Sequence, residues 1–288
     1  MSAIELIAQH ILSHLTHARP LFVSLQGPQG SGKSYITRHL KSFLQAAPHS
    51  LRVAAFSIDD IYLPHSGLVS LAAANPDNDL WQGRGQPGTH DVELGLEILS
   101  ALKAGDRKVE LPRFDKSLFG GEGDRVGGGE TVEQPPPVDV VIFEGWCVGF
   151  RPINNISARW KGTWAAEKQT LGLKDVRFED IEAVNSKLHD YLALWDFFDI
   201  AIELKPKAAP SSISQYAIVY KWRLEQEHHM KSMNGGIGMD DTAVKSFVDR
   251  YIPGYVFFSR PLDSPSASGN GLIVLLDETR LVAETSAF

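Results

Sequence analysis

At 288 residues the chain is long enough for one or two domains, and an apolar fraction of 43% supplies a large core, which excludes wholesale disorder. Its 28 Lys and Arg stand against 35 Asp and Glu, a net charge of −7, so the basic stripe that a long nucleic-acid partner demands is missing. A single cysteine, Cys147, excludes an intrachain disulfide and suits a reducing compartment, so the cytoplasm is the expected location, with the nucleus also open to it.

Residues 1–18 read as an N-terminal helix with Ile4, Ile7, Ile11 and Leu15 on one face. The segment has no basic leader, and no apolar run in the chain approaches the roughly 20 residues of a spanning helix, so neither a secretory signal nor a membrane partner is expected. His10, His14 and His17 share a face of this helix but lack the Glu of a zinc-binding H-E-x-x-H pattern, and a solvated face is expected.

Leu21-Phe22-Val23-Ser24-Leu25 is an apolar run of strand length. It leads into Gly27-Pro28-Gln29-Gly30-Ser31-Gly32-Lys33-Ser34, which matches the phosphate-cradling pattern G-x-x-x-x-G-K-[ST]. Apolar residues at helical spacing follow from Tyr35 to Leu44. Strand, glycine turn and helix start aim backbone N–H groups and the positive end of a helix dipole at one anion. Lys33 is then placed to reach β- and γ-phosphates, and Ser34 to bind Mg²⁺. A nucleoside triphosphate is the expected ligand.

Further strand-like runs are Val53–Ile58, Lys108–Leu111, Val138–Phe143, Ile200–Leu204 and Leu272–Leu276, mostly apolar as in strands covered on both faces. Helical patterns alternate with them at Val92–Ala104, Glu179–Trp195, Ser214–Met230 and Asp240–Tyr251. The alternation predicts an α/β fold of the P-loop NTPase type. Its sheet is expected to be doubly wound, mostly parallel and flanked by helices, with ligands at the carboxyl ends of the strands. One domain spanning residues 1–288 is expected. Its weakly structured stretches are Asn75–Thr89, Phe119–Pro137 (a mobile loop), Pro206–Ser212 and Asp263–Asn270.

A phosphate loop needs a second acidic group at the end of another apolar strand, and Glu144 supplies it as a metal or catalytic carboxylate. The run Ser57-Ile58-Asp59-Asp60-Ile61-Tyr62 ends the strand after the phosphate-loop helix. One of Asp59 and Asp60 suits proton removal from an acceptor hydroxyl, with Asp59 preferred. The other could assist the metal or cap a helix. Arg84–Asp91 and Leu111–Ser117 mix cations with neutral donors. Tyr62, Arg84, His90, Asp91, Arg113 and Lys116 are the candidate contacts to an acidic alcohol, because arginine forks match carboxylates. Few aromatic walls for a nucleobase are expected among them. A basic helix joined to the glycine-rich turn Asn234–Gly238 predicts a lid over 214–239 that brings Arg223 to the transferring group. Cys147 reads as a small packing residue.

In order, Gly27–Ser34, Phe56–Leu63 (FSIDDIYL), Asn75-Pro76, Arg84–Asp91 (RGQPGTHD), Leu111–Ser117 (LPRFDKS), Gly123-Asp124-Arg125, Ile142–Trp146 (IFEGW), Tyr220–Leu224 (YKWRL) and Arg250–Tyr255 (RYIPGY) resemble the D-glycerate 3-kinase family of plants and fungi. That family is a branch of the phosphoribulokinase, uridine kinase and pantothenate kinase group. The resemblance runs from about residue 20 to about residue 278. It implies phosphorylation of D-glycerate at its 3-hydroxyl by Mg²⁺ and ATP, with Asp59 at the position of the group's base and Glu144 at the acidic strand end. The chain departs from the plant pattern in a longer segment at Arg151–Phe178 and in having no plastid transit segment. Two other readings stay open: a kinase of another small alcohol such as a nucleoside or pantothenate, and an ATP-binding regulator with little turnover.

Overall fold

The computed structural model describes residues 1–16, 19–173, 176–207, 214–233, 235–236, 238–259 and 270–288, without the side chains of residues 162 and 163. Its strands are β1 (Leu21–Gln26), β2 (Val53–Ser57), β3 (Val109–Glu110), β4 (Arg113–Asp115), β5 (Asp124–Val126), β6 (Thr131–Val132), β7 (Val140–Gly145), β8 (Ile200–Pro206), β9 (Gly271–Leu276) and β10 (Val282–Ala287). Its α-helices are α1 (Ala3–His14), α2 (Lys33–Gln45), α3 (His65–Ala74), α4 (Val92–Ala104), α5 (Ile156–Arg159), α6 (Ala165–Leu171), α7 (Phe178–Trp195), α8 (Ala217–Met233), α9 (Asp241–Asp249) and α10 (Ile252–Phe258).

Six strands form one sheet in the order β10-β9-β8-β1-β7-β2, parallel throughout except for β10, which pairs antiparallel with β9. Strand alternation divides the core between the two faces. Phe22, Val141 and Phe143 point to one side with residues of α4, α7 and α10, whereas Leu21, Val23, Leu25, Val140 and Ile142 point to the other with residues of α1, α2 and α8. Both faces are covered, so β1 and β7 are buried at every position and read as mostly apolar runs, with Ser24, Gln26 and Glu144 the buried polar exceptions. Each fully buried Val, Leu or Ile contributes about 1.5–3 kcal/mol, which makes these strands the rigid base for whatever follows their carboxyl ends.

Several expectations are corrected. Val109 and Glu110 do not join the parallel sheet but pair antiparallel with Val132 and Thr131. In that short run only Val109 and Leu111 are buried, so one face is wet, as suits a small ribbon. Within the stretch expected to be a mobile loop lie β5, paired with β4, and β6. The longer segment after β7 carries α5, a π turn at Trp160–Trp164 and α6. Helix continuity over 240–251 breaks before α10, which has Pro253 in its first turn. Lying outside the described residues are His17, residues 208–212 and 263–269 of two weakly structured stretches, and Asn234 and Ile237 of the glycine-rich turn. No helix among the described residues is long and apolar enough to cross a membrane.

The segment Arg84–Asp91 is stitched to the strand ends rather than loose. Trp146 Nε1 donates to Gly85 O (3.0 Å), Gln86 Nε2 to Arg250 O (2.6 Å) and Gly88 N to the Tyr191 hydroxyl (2.8 Å). Leu63 N donates to Thr89 O at 2.9 Å and Asp91 N to Ile61 O at 2.7 Å, which lays His90 beside Tyr62. Gly85 has φ +141°, and a Cβ there would stand 2.5 Å from the Tyr251 hydroxyl oxygen. Gly85→Ala should therefore destabilise the fold by roughly 1–3 kcal/mol, the usual cost of overpacking. Denaturant unfolding in a Tyr251→Phe background should recover part of that loss, but not the share due to φ. Equal loss in both backgrounds would show that the hydroxyl is not the obstacle.

Candidate active site

The P-loop joins β1 to α2 and has no side-chain cap on the helix; Gly32 takes the N-cap position at φ 89°. First-turn N–H groups of α2 are thus left for a ligand at the positive end of the helix. The loop's own backbone is partly engaged. Pro28 O accepts from Ser31 Oγ (2.7 Å) and from Lys33 Nζ (2.9 Å), and Gln29 N donates to the Tyr255 hydroxyl (3.1 Å).

Strand register then decides what faces the loop. Glu144 in β7 lies opposite Leu25 of β1 on one side and Ser57 of β2 on the other. The end of β7 is therefore flanked by the P-loop and by the turn after β2. Ser34 Oγ donates to Glu144 Oε1 at 2.8 Å. Burial pushes the Glu144 carboxyl up against the pull of Lys33, and burial pushes the Lys33 ammonium down against the pull of Glu144 and Asp59. A hydroxyl and a carboxylate are hard oxygen donors that fit Mg²⁺. Among the described residues no group of three or more His, Cys, Asp or Glu could hold a metal alone.

Asp59 and Asp60 part company in the 3₁₀ turn Ile58–Ile61. Asp60 caps it: Ser57 N donates to Asp60 Oδ2 at 3.0 Å, and burial raises this carboxyl. Asp59 faces outward to Tyr62, whose hydroxyl donates to Oδ1 at 3.0 Å, and to Lys116, whose ammonium contacts Oδ2. Burial alone would raise the Asp59 carboxyl, but the Lys116 ammonium outweighs it and holds it at about 2. Asp59 is therefore ionised at neutral pH.

His90 is buried, stacked on Tyr62 at 4.5 Å. The Tyr191 oxygen accepts from Gly88 N, so its own proton has His90 Nδ1 (2.7 Å) as acceptor, which leaves the imidazole proton on Nε2. That Nε2 is buried and has no hydrogen-bond partner among the described residues. Burial depresses the ring to about 3, although Asp59 opposes this, so His90 is a neutral N–H donor beside the Asp59 carboxylate.

The remaining candidates divide. Arg84 Nη1 donates to the carbonyls of Gly121 and Glu122, and the guanidinium lies 5.7 Å over Phe114; among the described residues it pairs with no carboxylate. Arg113 is not brought in: strand alternation buries Phe114 beside Tyr62 and leaves Arg113 exposed on the opposite face of β4. Asp91 serves the fold, capping α4 through Leu94 N (3.0 Å) and pairing with Arg125 (3.0 Å). Trp222 of α8 is fully buried in the core. Arg223 pairs with Glu227 (2.7 Å) and lies over the Phe247 ring (5.2 Å), while its Nη1 is buried with no hydrogen-bond partner among the described residues. The expectation of few aromatic walls fails. Tyr62 and Phe114 meet at 5.2 Å beside His90, and Tyr251 packs on Trp146 at 4.7 Å, but these rings are occupied with one another. Cys147 is fully buried and its thiol is pushed up by burial, as a packing residue requires. Tyr191, Arg125 and Tyr251 carry no functional signal in spacing or residue type, although Arg125 and Tyr251 lie in segments that carry the family resemblance.

The neutral His90 predicts a definite acid dependence. The unfolded ring takes up a proton below its ordinary 6.5 and the folded ring only near 3, so stability is full above 6.5 and falls through that window. At pH 5 the loss is about 2 kcal/mol. Thermal or urea unfolding of the protein and of His90→Gln at pH 7.5 and pH 5 should show a shallower loss in the variant by about that amount. Parallel pH slopes would contradict a buried neutral imidazole.

No family model matches the chain. It is 37% identical to "Uncharacterized kinase mug58" of Schizosaccharomyces pombe over 97% of its length and 98% of that protein. It is 32% identical to "D-glycerate 3-kinase, chloroplastic" of Arabidopsis thaliana over 91% of its length and 53% of that protein. Among solved structures, the D-glycerate 3-kinase from Cryptococcus neoformans superposes with a TM-score of 0.87 at 36% identity, covering 100% of both chains. With a P-loop, an acidic strand end and a carboxylate beside them in one fold, the chain belongs to the D-glycerate 3-kinase family of P-loop kinases.

Proposed function

We propose that the chain transfers the γ-phosphoryl group of ATP to the 3-hydroxyl of D-glycerate, giving 3-phosphoglycerate and ADP, with Mg²⁺ held at Ser34 and Glu144. The observation that carries the reading is the contact of Ser34 with Glu144 at the mouth of the P-loop, with the ionised Asp59 one turn away on the neighbouring strand end. An ATP-dependent phosphotransferase with an alcohol acceptor needs those three groups together, whereas a nucleotide switch has no use for the last.

In this reading Gly27 to Ser34 cradle the triphosphate, and Lys33 exchanges Pro28 O for phosphate oxygens. Mg²⁺, when bound, would neutralise charge developing on the phosphates. Asp59 accepts the proton of the attacking hydroxyl. A carboxyl held at about 2 is a poor base, so Lys116 must first let go of it. The substrate carboxylate is the natural competitor: it draws Lys116 away, and burial then raises the basicity of Asp59. Arg84 and the Nε2 proton of His90 complete the recognition of a small oxygen-rich acid. Lys116 and Arg84 are the cations left on the acceptor side once Lys33 turns to phosphate, which favours an anionic acceptor over a neutral one.

With MgATP and D-glycerate, ADP should form in step with phosphoglycerate, and glycerol, which lacks the carboxylate, should be a poor substitute. A nucleoside or pantothenate outperforming glycerate would move the enzyme to another acceptor, and ATP binding without turnover would make it a regulator. Lys33→Ala should lower the rate by about 10²–10³ with the fold intact. Asp59→Asn should lower the chemical step by roughly 10²–10⁴ while leaving ATP affinity close to that of the parent. Near-normal turnover in either variant contradicts the assigned role.

A further inference from the structure

Arg280 lies in the tight turn between β9 and β10, 250 residues from the P-loop glycine it contacts. It adopts φ 67°, a left-handed conformation that residues other than glycine rarely occupy. The turn is held by Asp277, whose carboxylate accepts from Thr279 N (2.8 Å) and Leu281 N (3.0 Å). This backbone directs the guanidinium inward. Nε donates to the Gly30 carbonyl at 2.6 Å, Nη2 to the Trp222 carbonyl at 3.1 Å, and Nη1 to Glu225 Oε2 at 2.8 Å. The plane also lies 5.6 Å over the Trp222 ring. One side chain thus spans the P-loop, the backbone of α8 and an anchoring carboxylate.

The phosphate cradle works only if the loop's N–H groups face the anion and its carbonyls face away. Pro28 O is held by the Ser31 hydroxyl, a contact that stays when Lys33 turns to phosphate. Gly30, at φ 75°, has no side chain to favour one peptide orientation, and a Cβ there would collide with Trp222. Its carbonyl is held by Arg280. We propose that Arg280 is a positioning residue for the nucleotide: it pins the Gly30 carbonyl outside the cradle and fastens the P-loop to α8, so that its loss weakens ATP binding and leaves the acceptor side untouched. This rests on the reading that the P-loop binds ATP.

The test is ATP binding by calorimetry, with KM for ATP and for D-glycerate measured separately, in the full chain and in Arg280→Ala, Arg280→Lys and Glu225→Gln. The dissociation constant and KM for ATP should rise about tenfold in both Arg280 variants, the lower end of what supporting residues contribute to a site. Lysine should not rescue, because one ammonium cannot bridge two carbonyls and a carboxylate in this geometry. Glu225→Gln, which keeps the arginine but removes its outer anchor, should give a smaller rise and serves if Arg280→Ala does not fold. KM for D-glycerate at saturating ATP should stay within twofold. Unchanged ATP affinity in folded Arg280 variants of a chain that itself binds ATP overturns the proposal alone, as does an equal rise in both KM values. Failure of the parent chain to bind ATP overturns the proposal together with the reading beneath it.

Discussion

The hydrogen bond from Ser34 to Glu144 is the contact on which the site depends, because it joins the first turn of α2 to the end of β7. It forms only where β1 and β7 are parallel neighbours in the observed register. Glu144 sits on a fully buried strand and Ser34 in the helix that follows another, so the two oxygens have little freedom to separate. The electrostatics point the same way. Lys33 and Glu144 attract each other, yet burial wins at both, lowering one and raising the other. Desolvation that the partners do not fully offset is what a polyanion and its cation would relieve on arrival.

Asp59 shows the opposite balance. There the Lys116 ammonium more than offsets burial, and the carboxylate is stabilised at the expense of its basicity. Two carboxylates one strand apart are thus tuned in opposite directions by their neighbours, one by an incompletely compensated interior and one by a direct ion pair. Such divergence is how a site assigns distinct roles to groups of the same chemistry. In the proposed reaction this balance would couple acceptor binding to base activation, since the group that silences Asp59 is the one an acidic substrate would claim.

Much of this was legible in the chain. β1, β2, β7, β8 and β9 stand out because burial on both faces demands continuous apolar runs, and α4 and α7 because one face repeats at helical spacing. The P-loop was plain because phosphate binding leaves few alternatives to glycine and lysine. What escaped has physical reasons. β10 exposes most of its side chains, so Thr285 and Ser286 alternate with nothing apolar to mark a buried face. β3 to β6 are two or three residues long, shorter than any periodicity can register. The choice between Asp59 and Asp60 rested on the direction each side chain takes in a single turn. Arg113 and Lys116 looked alike in the sequence, yet strand alternation turned one to solvent while the next turn aimed the other at Asp59. The burial of Arg223 was not legible because its partner, Glu227, sits at ordinary helical spacing, where a buried pair and a surface pair look the same.

The most direct measurement is a crystal structure with a non-hydrolysable ATP analogue, Mg²⁺ and D-glycerate bound together. We expect the metal on the Ser34 hydroxyl with Glu144 beside it, the 3-hydroxyl of glycerate donating to Asp59, and Lys116 moved from Asp59 to the substrate carboxylate. A glycerate hydroxyl placed away from Asp59, with Lys116 still paired to that carboxylate, would contradict the proposed reaction.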